Sequence, residues 1–362
     1  MTKKQVIILG AGLMGRLIAL ACAKEGFRVS VYDQGGSEVK DSAAYTAAAM
    51  LAPLAESVAT ENNIIEMGLY SLNRWPELIK GLSKPVFFQQ NGSLIVWHAQ
   101  DQSLGKHFYS QLNKTQKIFP AQFQHEKITH EKLNLLENQL DHRFREALYL
   151  PHEGQLDNRE LLDALLIDAQ LYGAQFYWYS PRELSDFPES SHFKIIDCRG
   201  LGSKQSITPL RGVRGEVIRV YAPEVKLQRP IRLLHPRYPI YIAPKDNDVY
   251  VIGATEIESE DMSEVSVRSA LELLSAAYSL HSGFAEGRIL EMNAQCRPSL
   301  PNNAPIILKT NERIISINGL YRHGFMISPA LLDAAMEMIL TDQSNLAQQF
   351  SIESSLPHAS NH

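Results

Sequence analysis

The pattern of apolar and polar positions is sharpest over the first thirty-odd residues. The apolar run Val6-Ile7-Ile8-Leu9 predicts a buried strand. It breaks into Gly10-Ala11-Gly12-Leu13-Met14-Gly15, and Arg16 to Ala21 then continues as a helix. A second β-rich run, Val29-Ser30-Val31-Tyr32, ends on Asp33. Strand, glycine turn, helix, second strand and closing carboxylate, in that order, predict a dinucleotide-binding unit. Gly10 allows the tight turn, Gly12 lets a pyrophosphate approach the backbone, and Gly15 lets helix and strand pack closely. The helix N-terminus offers unpaired N–H groups and a partial positive charge to phosphates, and Asp33 accepts hydrogen bonds from a ribose. Nicotinamide and flavin both remain open on these residues.

Beyond this unit, the small-residue tract Ala43 to Pro53 admits two readings: a surface for a bulky planar ligand, or a tightly packed helix. Ile65, Leu69, Leu72 and Trp75 mark an amphipathic helix over Asn62 to Leu82. Val86 to Phe88 and Ser93 to Trp97 predict strands joined by Asn91-Gly92 as a hairpin. Residues 100–145 are polar with helical spacing and carry no evident chemistry. Asp157 predicts the N-cap of a helix through Leu171 that Gly173 ends, followed by strands at Ala174 to Tyr179 and Phe193 to Cys198. The last strand runs into Arg199-Gly200-Leu201-Gly202-Ser203, a glycine turn at the sheet edge where open α/β folds bind ligands.

The period then changes. Gly212 to Val220, Pro239 to Ala243 and Val249 to Thr255 are β-rich, Val265 to Tyr278 is helical, and Arg313 to Asn318 with an apolar helix from Ser328-Pro329 returns to the first fold. The expected class is α/β: a Rossmann-like nucleotide-binding domain with an inserted antiparallel-sheet substrate domain. Residues 1–80, 146–210 and 290–362 form the discontinuous first domain, and 81–145 with 211–289 the second.

Composition narrows the function. The chain has 362 residues, 44% of them hydrophobic, with a formal net charge of -5, so no basic excess points to nucleic acid. Cys22, Cys198 and Cys296 are odd in number and widely spaced, unlike a zinc site or disulfide framework, and fit a reducing cytoplasm. Lys3 and Lys4 before an apolar stretch mimic a signal peptide, but the glycines and the return to Lys24-Glu25 assign it to the nucleotide fold. Ala43 to Leu54 is too short to cross a bilayer, and no membrane span is expected. A homo-oligomer is left open.

Three segments place polar residues where chemistry is feasible. Tyr241 alternates with Ile240 and Ile242 along a strand and faces the other side. Arg297, against Pro298, has the planar fork that clamps a carboxylate. Gly319 and Gly324 bracket Arg322 ahead of a helix whose positive end suits an electron-rich ring. Each has a plain structural alternative: packing for Tyr241, an ion pair for Arg297, a hydrogen-bonded turn for His323.

Together these features resemble the flavin-dependent amino-acid oxidase superfamily, and most closely its glycine oxidases of thiamine biosynthesis, over nearly the whole chain. The resemblance rests on Gly10 to Gly15 with Asp33, Ala47-Ala48-Ala49-Met50-Leu51 with Glu56, Arg214-Gly215-Glu216-Val217, Tyr241, Gly253-Ala254-Thr255, Arg297-Pro298, and Arg322 before Gly324. It implies non-covalent FAD contacted by Gly10, Gly12, Leu13, Met14, Gly15, Asp33, Ala47, Ala48, Ala49, Met50, Gly200, Gly202, Gly319, Arg322 and Gly324, with no metal. It also implies a small amine or amino acid as substrate, its carboxylate bound by Arg297 and Tyr241, Arg322 beside substrate and flavin, and oxygen as electron acceptor. Two departures stand out: Ala49, where relatives often carry glycine, and Glu256 after the Gly-Ala-Thr turn, which would reach the substrate amine if it faces the pocket. A quinone-reducing flavin dehydrogenase, a nicotinamide dehydrogenase and a non-catalytic flavoprotein remain as alternatives.

Overall fold

The structure, a computed structural model, describes residues 4–140, 143–188 and 193–354. Lys3 and the chain ends of the expected nucleotide domain, 1–3 and 355–362, lie outside them.

A six-stranded sheet runs in the order Ile306–Lys309, Ile314–Asn318, Lys194–Asp197, Gln5–Leu9, Arg28–Tyr32 and Gln175–Tyr177. Its pairings are parallel except at the Ile306–Lys309 edge. The central strand is apolar from Val6 to Leu9 because both its faces are covered: Val6 and Ile8 enter the main core, while Ile7 and Leu9 pack with Ile195 on the other side. The helix Leu13–Lys24 follows directly. A Cβ on Gly15 would lie 1.9 Å from Gly10 O, and one on Gly10, at φ +91°, would lie 2.7 Å from Cys198 O. Only glycine lets strand, helix and the neighbouring strand end meet this closely.

An eight-stranded sheet runs Arg288–Ser299, Arg211–Tyr221, Val249–Gly253, Ile240–Pro244, Ile231–Leu234, Ser93–Trp97, Glu146–Leu150, Glu126–Thr129. It is antiparallel except where Ile231–Leu234 lies parallel to Ser93–Trp97. Strand pairing therefore puts Glu146–Leu150 and Arg288–Ser299 in this sheet, whereas the expected boundaries assigned 146–150 and 290–299 to the nucleotide portion. Main-chain pairing, invisible in composition, decides their membership.

The hairpin expected over Val86 to Trp97 does not form. Phe88–Gln89 pairs with Gly154–Leu156 in a small third sheet, while Ser93–Trp97 pairs with Glu146–Leu150 and Ile231–Leu234. The Asn91-Gly92 turn, with Gly92 at φ +87°, hands the chain from one sheet to another. Asn62–Lys80 is the expected amphipathic helix, and Asp157 caps Asn158–Leu171 by accepting from the N–H groups of Arg159 and Glu160.

The C-terminal apolar helix begins at Gly324, not at Ser328-Pro329, and runs to Thr341. Pro329 lies inside it and removes the N–H that would bond Phe325 O. Trp75 Nε1 donates to that carbonyl instead, at 2.8 Å. Tyr321–Thr341 is also the one helical stretch among the described residues long and apolar enough to cross a bilayer, but most of it is buried within the protein.

Candidate active site

A cavity of about 1040 Å³ runs between the two large sheets, at the upper end of the range for small-molecule sites. At one end lie Gly10, Gly12, Leu13, Met14 and Asp33; at the other, Tyr241, Glu256, Arg297 and Arg322. The helix after Gly12 has no side-chain cap, so its first N–H groups stay available to an anion. Asp33 closes the first βαβ unit, its Oδ2 accepting from Ala11 N–H at 2.6 Å and its Oδ1 from Gly35 N–H at 2.8 Å.

Ala47, Ala48, Ala49 and Met50 line the cavity between these ends. The tract is not one continuous helix. Ala43–Thr46 is a single turn capped by Ser42, and Met50–Leu51 is a strand against Gly154–Leu156. Ala49 joins them at φ +52°, the left-handed region that favours glycine. Behind the tract, the buried Lys245 donates to Ala48 O at 2.9 Å and Leu156 O at 2.7 Å, and burial lowers its pKa to about 7. Neither this lysine nor its role was read from the sequence.

Gly200, Gly202 and Gly324 also line the cavity, whereas Gly15 and Gly319 do not. Gly15 seats the helix on its strand. Gly319, at φ +74°, lies where a Cβ would meet Ala304 O and Leu300 at 2.9 Å.

At the other end of the cavity, Arg297 and Tyr241 come from two strands of the eight-stranded sheet, and Arg322 from the short helical turn Tyr321–His323. In the register of Arg211–Tyr221 with Arg288–Ser299, Arg297 opposes Val213, and its guanidinium extends over Gly215. Arg297 Nη2 donates to Thr255 O at 3.1 Å. Thr255 is fixed in turn: its Oγ1 donates to Glu216 Oε2 at 2.9 Å, and Glu216 pairs with Arg214 at 2.8 Å. Arg297 Nη1 is buried without a hydrogen-bond partner among the described residues. A buried, unpaired guanidinium nitrogen is costly, and a carboxylate placed in the cavity would satisfy it.

Tyr241 sits beside Arg297, its hydroxyl 2.6 Å from where a Gly253 Cβ would be. Burial raises its pKa, so it remains a neutral hydrogen-bond donor. Arg322 lies between two acids: Nη2 is 2.8 Å from Glu56 Oε2, and Nη1 donates to Glu256 Oε2 at 2.8 Å. Glu256 thus lines the cavity, the orientation the sequence left open, but it is held by Arg322.

Arg232 Nη1 donates to Glu56 Oε1 at 3.0 Å. Against the opposing effect of burial, the Arg232 and Arg322 charges hold Glu56 down to a pKa of about 2. Burial lowers the His323 pKa to about 4, leaving the imidazole neutral near pH 7. Arg232 was missed by sequence reasoning. Its signal was an arginine inside the otherwise apolar strand Ile231–Leu234.

A cavity with an uncapped helix N-terminus and the Asp33 carboxylate toward one end, a wall of small residues, and a guanidinium nitrogen without a partner among the described residues toward the other fits FAD plus a small carboxylate. The comparisons agree. A Rhizobium etli protein carrying the name thiamine biosynthesis oxidoreductase ThiO is 34% identical over 344 residues, covering 94% of this chain and 97% of its own length. The glycine oxidase of Geobacillus kaustophilus is 24% identical over 354 residues, covering 90% of this chain and 89% of its own. The crystal structure of glycine oxidase from that organism superposes with a TM-score of 0.83 at 22% identity, covering 99% of this chain and all of that one. Iminodiacetate oxidase from Chelativorans sp. BNC1 shares the fold with a TM-score of 0.81 at 19% identity, over 97% of this chain and 100% of its own. Residues 5–335 match the family model for FAD dependent oxidoreductases, and the chain belongs to that family.

Proposed function

We propose that this protein oxidises glycine or a similarly small amine to its imine, which hydrolyses to the 2-oxo acid and ammonia. Oxygen takes the two electrons as hydrogen peroxide, and the glycine imine feeds thiamine thiazole synthesis in a reducing cytoplasm. The observation that carries this reading is the buried, unpartnered Arg297 Nη1 beside the neutral Tyr241 hydroxyl.

FAD, when bound, supplies the two-electron acceptor for the hydride of the substrate α-carbon. Gly10, Gly12 and the helix N-terminus would hold its pyrophosphate, Asp33 its ribose, and Ala47 to Met50 its length. The chain's own work is positional. Arg297 and Tyr241 anchor the carboxylate and so fix the α C–H, and orientation of this kind contributes on the order of several kcal/mol to lowering the barrier. No side chain in the cluster is poised as a base. Glu56 and Glu256 are ionised and paired with arginines, and His323 is buried. The amine therefore sheds its proton to solvent and reacts in the neutral form.

The test is turnover in air with peroxide measured by peroxidase coupling and the 2-oxo acid measured separately. Glycine, sarcosine and D-alanine should give equal amounts of both. Faster turnover of a large L-amino acid than of glycine would overturn the small-amine assignment, and reduction that only an added quinone can discharge would overturn the oxidase reading.

A further inference from the structure

The charges around the substrate end of the cavity add up to an unusual balance. Both terminal nitrogens of Arg322 are engaged, one by Glu56 and one by Glu256. Arginine and tyrosine neighbours outweigh desolvation and hold the Glu256 carboxyl below its usual range, so it is ionised at neutral pH. His323 contributes no charge there. Arg232, Arg297 and Arg322 therefore face Glu56 and Glu256, and the cluster retains one positive charge. The remaining charged groups on the nearby wall do not alter this: Arg268 and Glu272 pair with each other at 2.8 Å, and Arg237 is exposed.

We propose, resting on the small-amine reading above, that Glu256 is a specificity residue: by engaging Arg322 it confines the site to amines with one carboxylate and excludes those with two. A first carboxylate binds Arg297 Nη1, the buried terminal nitrogen that lacks a partner among the described residues. A second carboxylate on the same small molecule would reach the Arg322 side of the cluster and meet Glu56 and Glu256, two acids already sharing one guanidinium. Like charges this close repel, the more so at Glu56, whose side chain is only 22% exposed. Removing the Glu256 charge leaves the cluster with two positive charges and frees Arg322 Nη1 for a second anion. Glu256 lies on the turn after Gly253, and its side chain is 45% exposed, so changing it should leave the strands in place.

The experiment uses the FAD-loaded protein and two unreactive probes, acetate and malonate, titrated at constant ionic strength while the flavin absorption band is followed. Steady-state rates with glycine and iminodiacetate accompany it. Wild type should bind malonate no more tightly than acetate and should turn over iminodiacetate poorly. Glu256→Gln should tighten malonate relative to acetate by about tenfold, the scale of one charge-assisted hydrogen bond, and raise the iminodiacetate to glycine ratio of kcat/KM in step. Glu256→Gln combined with Arg322→Met should lose that gain.

Equal changes for both probes would overturn the proposal, as would a raised KM for glycine with no gain in malonate binding, which would assign Glu256 to the amine instead. Glu256→Ala, checked for flavin content and melting temperature, serves if the glutamine variant is unstable. If wild type were not reduced by glycine, the small-amine reading would fail, while the acetate and malonate titrations would still decide the role of Glu256.

Discussion

Gly215 lies directly beneath the Arg297 guanidinium: a Cβ built on it would stand 2.1 Å from Nη2. The arginine reaches across its partner strand only because that strand carries no side chain there. Gly215→Ala should therefore displace Arg297 and weaken acetate binding and raise KM for glycine by about tenfold or more, the scale of a charge-assisted hydrogen bond, while FAD stays bound. Arg297→Ala should do the same, with lysine a poor rescue because it keeps the charge but loses the fork. Unchanged acetate binding in both variants would remove Arg297 from the site.

Two glycines of the nucleotide turn should fail in different ways. Gly15→Ala forces a Cβ into Gly10 O and should destabilise the fold by about 1–3 kcal/mol, seen as a lower melting temperature with or without FAD. Around Gly12 the nearest atom to a built Cβ is Ser42 Cβ at 4.0 Å, so the space there is open cavity. Gly12→Leu should leave the apoprotein melt nearly unchanged and weaken FAD retention on gel filtration.

Ala49 holds a left-handed backbone that alanine adopts at a cost of roughly 1–2 kcal/mol, part of which glycine forfeits through its freer unfolded chain. Ala49→Gly should raise stability by about 0.5–1 kcal/mol. A lower melting temperature would show that the Ala49 methyl packs usefully against the tract.

The nucleotide half of the fold was legible because its signals are local. Apolar runs, glycines and Asp33 fall within one short unit, and Asp157 and Gly173 bound their helix as read. What escaped were features set by distant partners. The Asn91-Gly92 turn reads as a hairpin until Gly154–Leu156 claims Phe88–Gln89, and Pro329 reads as a helix start until Trp75 is seen to satisfy the carbonyl it frees. Tyr241, Arg297 and Arg322 were each visible as polar residues in apolar or glycine-rich settings. The pairing of Arg322 with both Glu56 and Glu256 was not, since those acids lie far away in sequence.

His323 predicts a pH signature. Its folded pKa, about 4, lies below the ordinary value of 6.5, so the unfolded chain takes up a proton first as pH falls. Its contribution is fully present above pH 6.5 and is lost as pH drops to about 4, by up to about 3 kcal/mol. Glu153 opposes it: burial raises its pKa to about 7, so its contribution grows as pH falls from there toward 4.5. Comparing wild type with His323→Gln isolates the histidine. The variant should gain stability relative to wild type between pH 6.5 and 4 in denaturant titrations, and parallel pH profiles would show that His323 is not buried neutral.

The decisive measurement is the visible absorption spectrum of the purified protein before and after glycine is added without oxygen. The protein should be yellow, its flavin should bleach on glycine addition, and admitting air should restore the colour with one peroxide formed per flavin reoxidised. A spectrum that saturating glycine leaves oxidised, or that shifts as a bound ligand shifts it but never bleaches, would mean that the Arg297 site binds a small carboxylate without oxidising it.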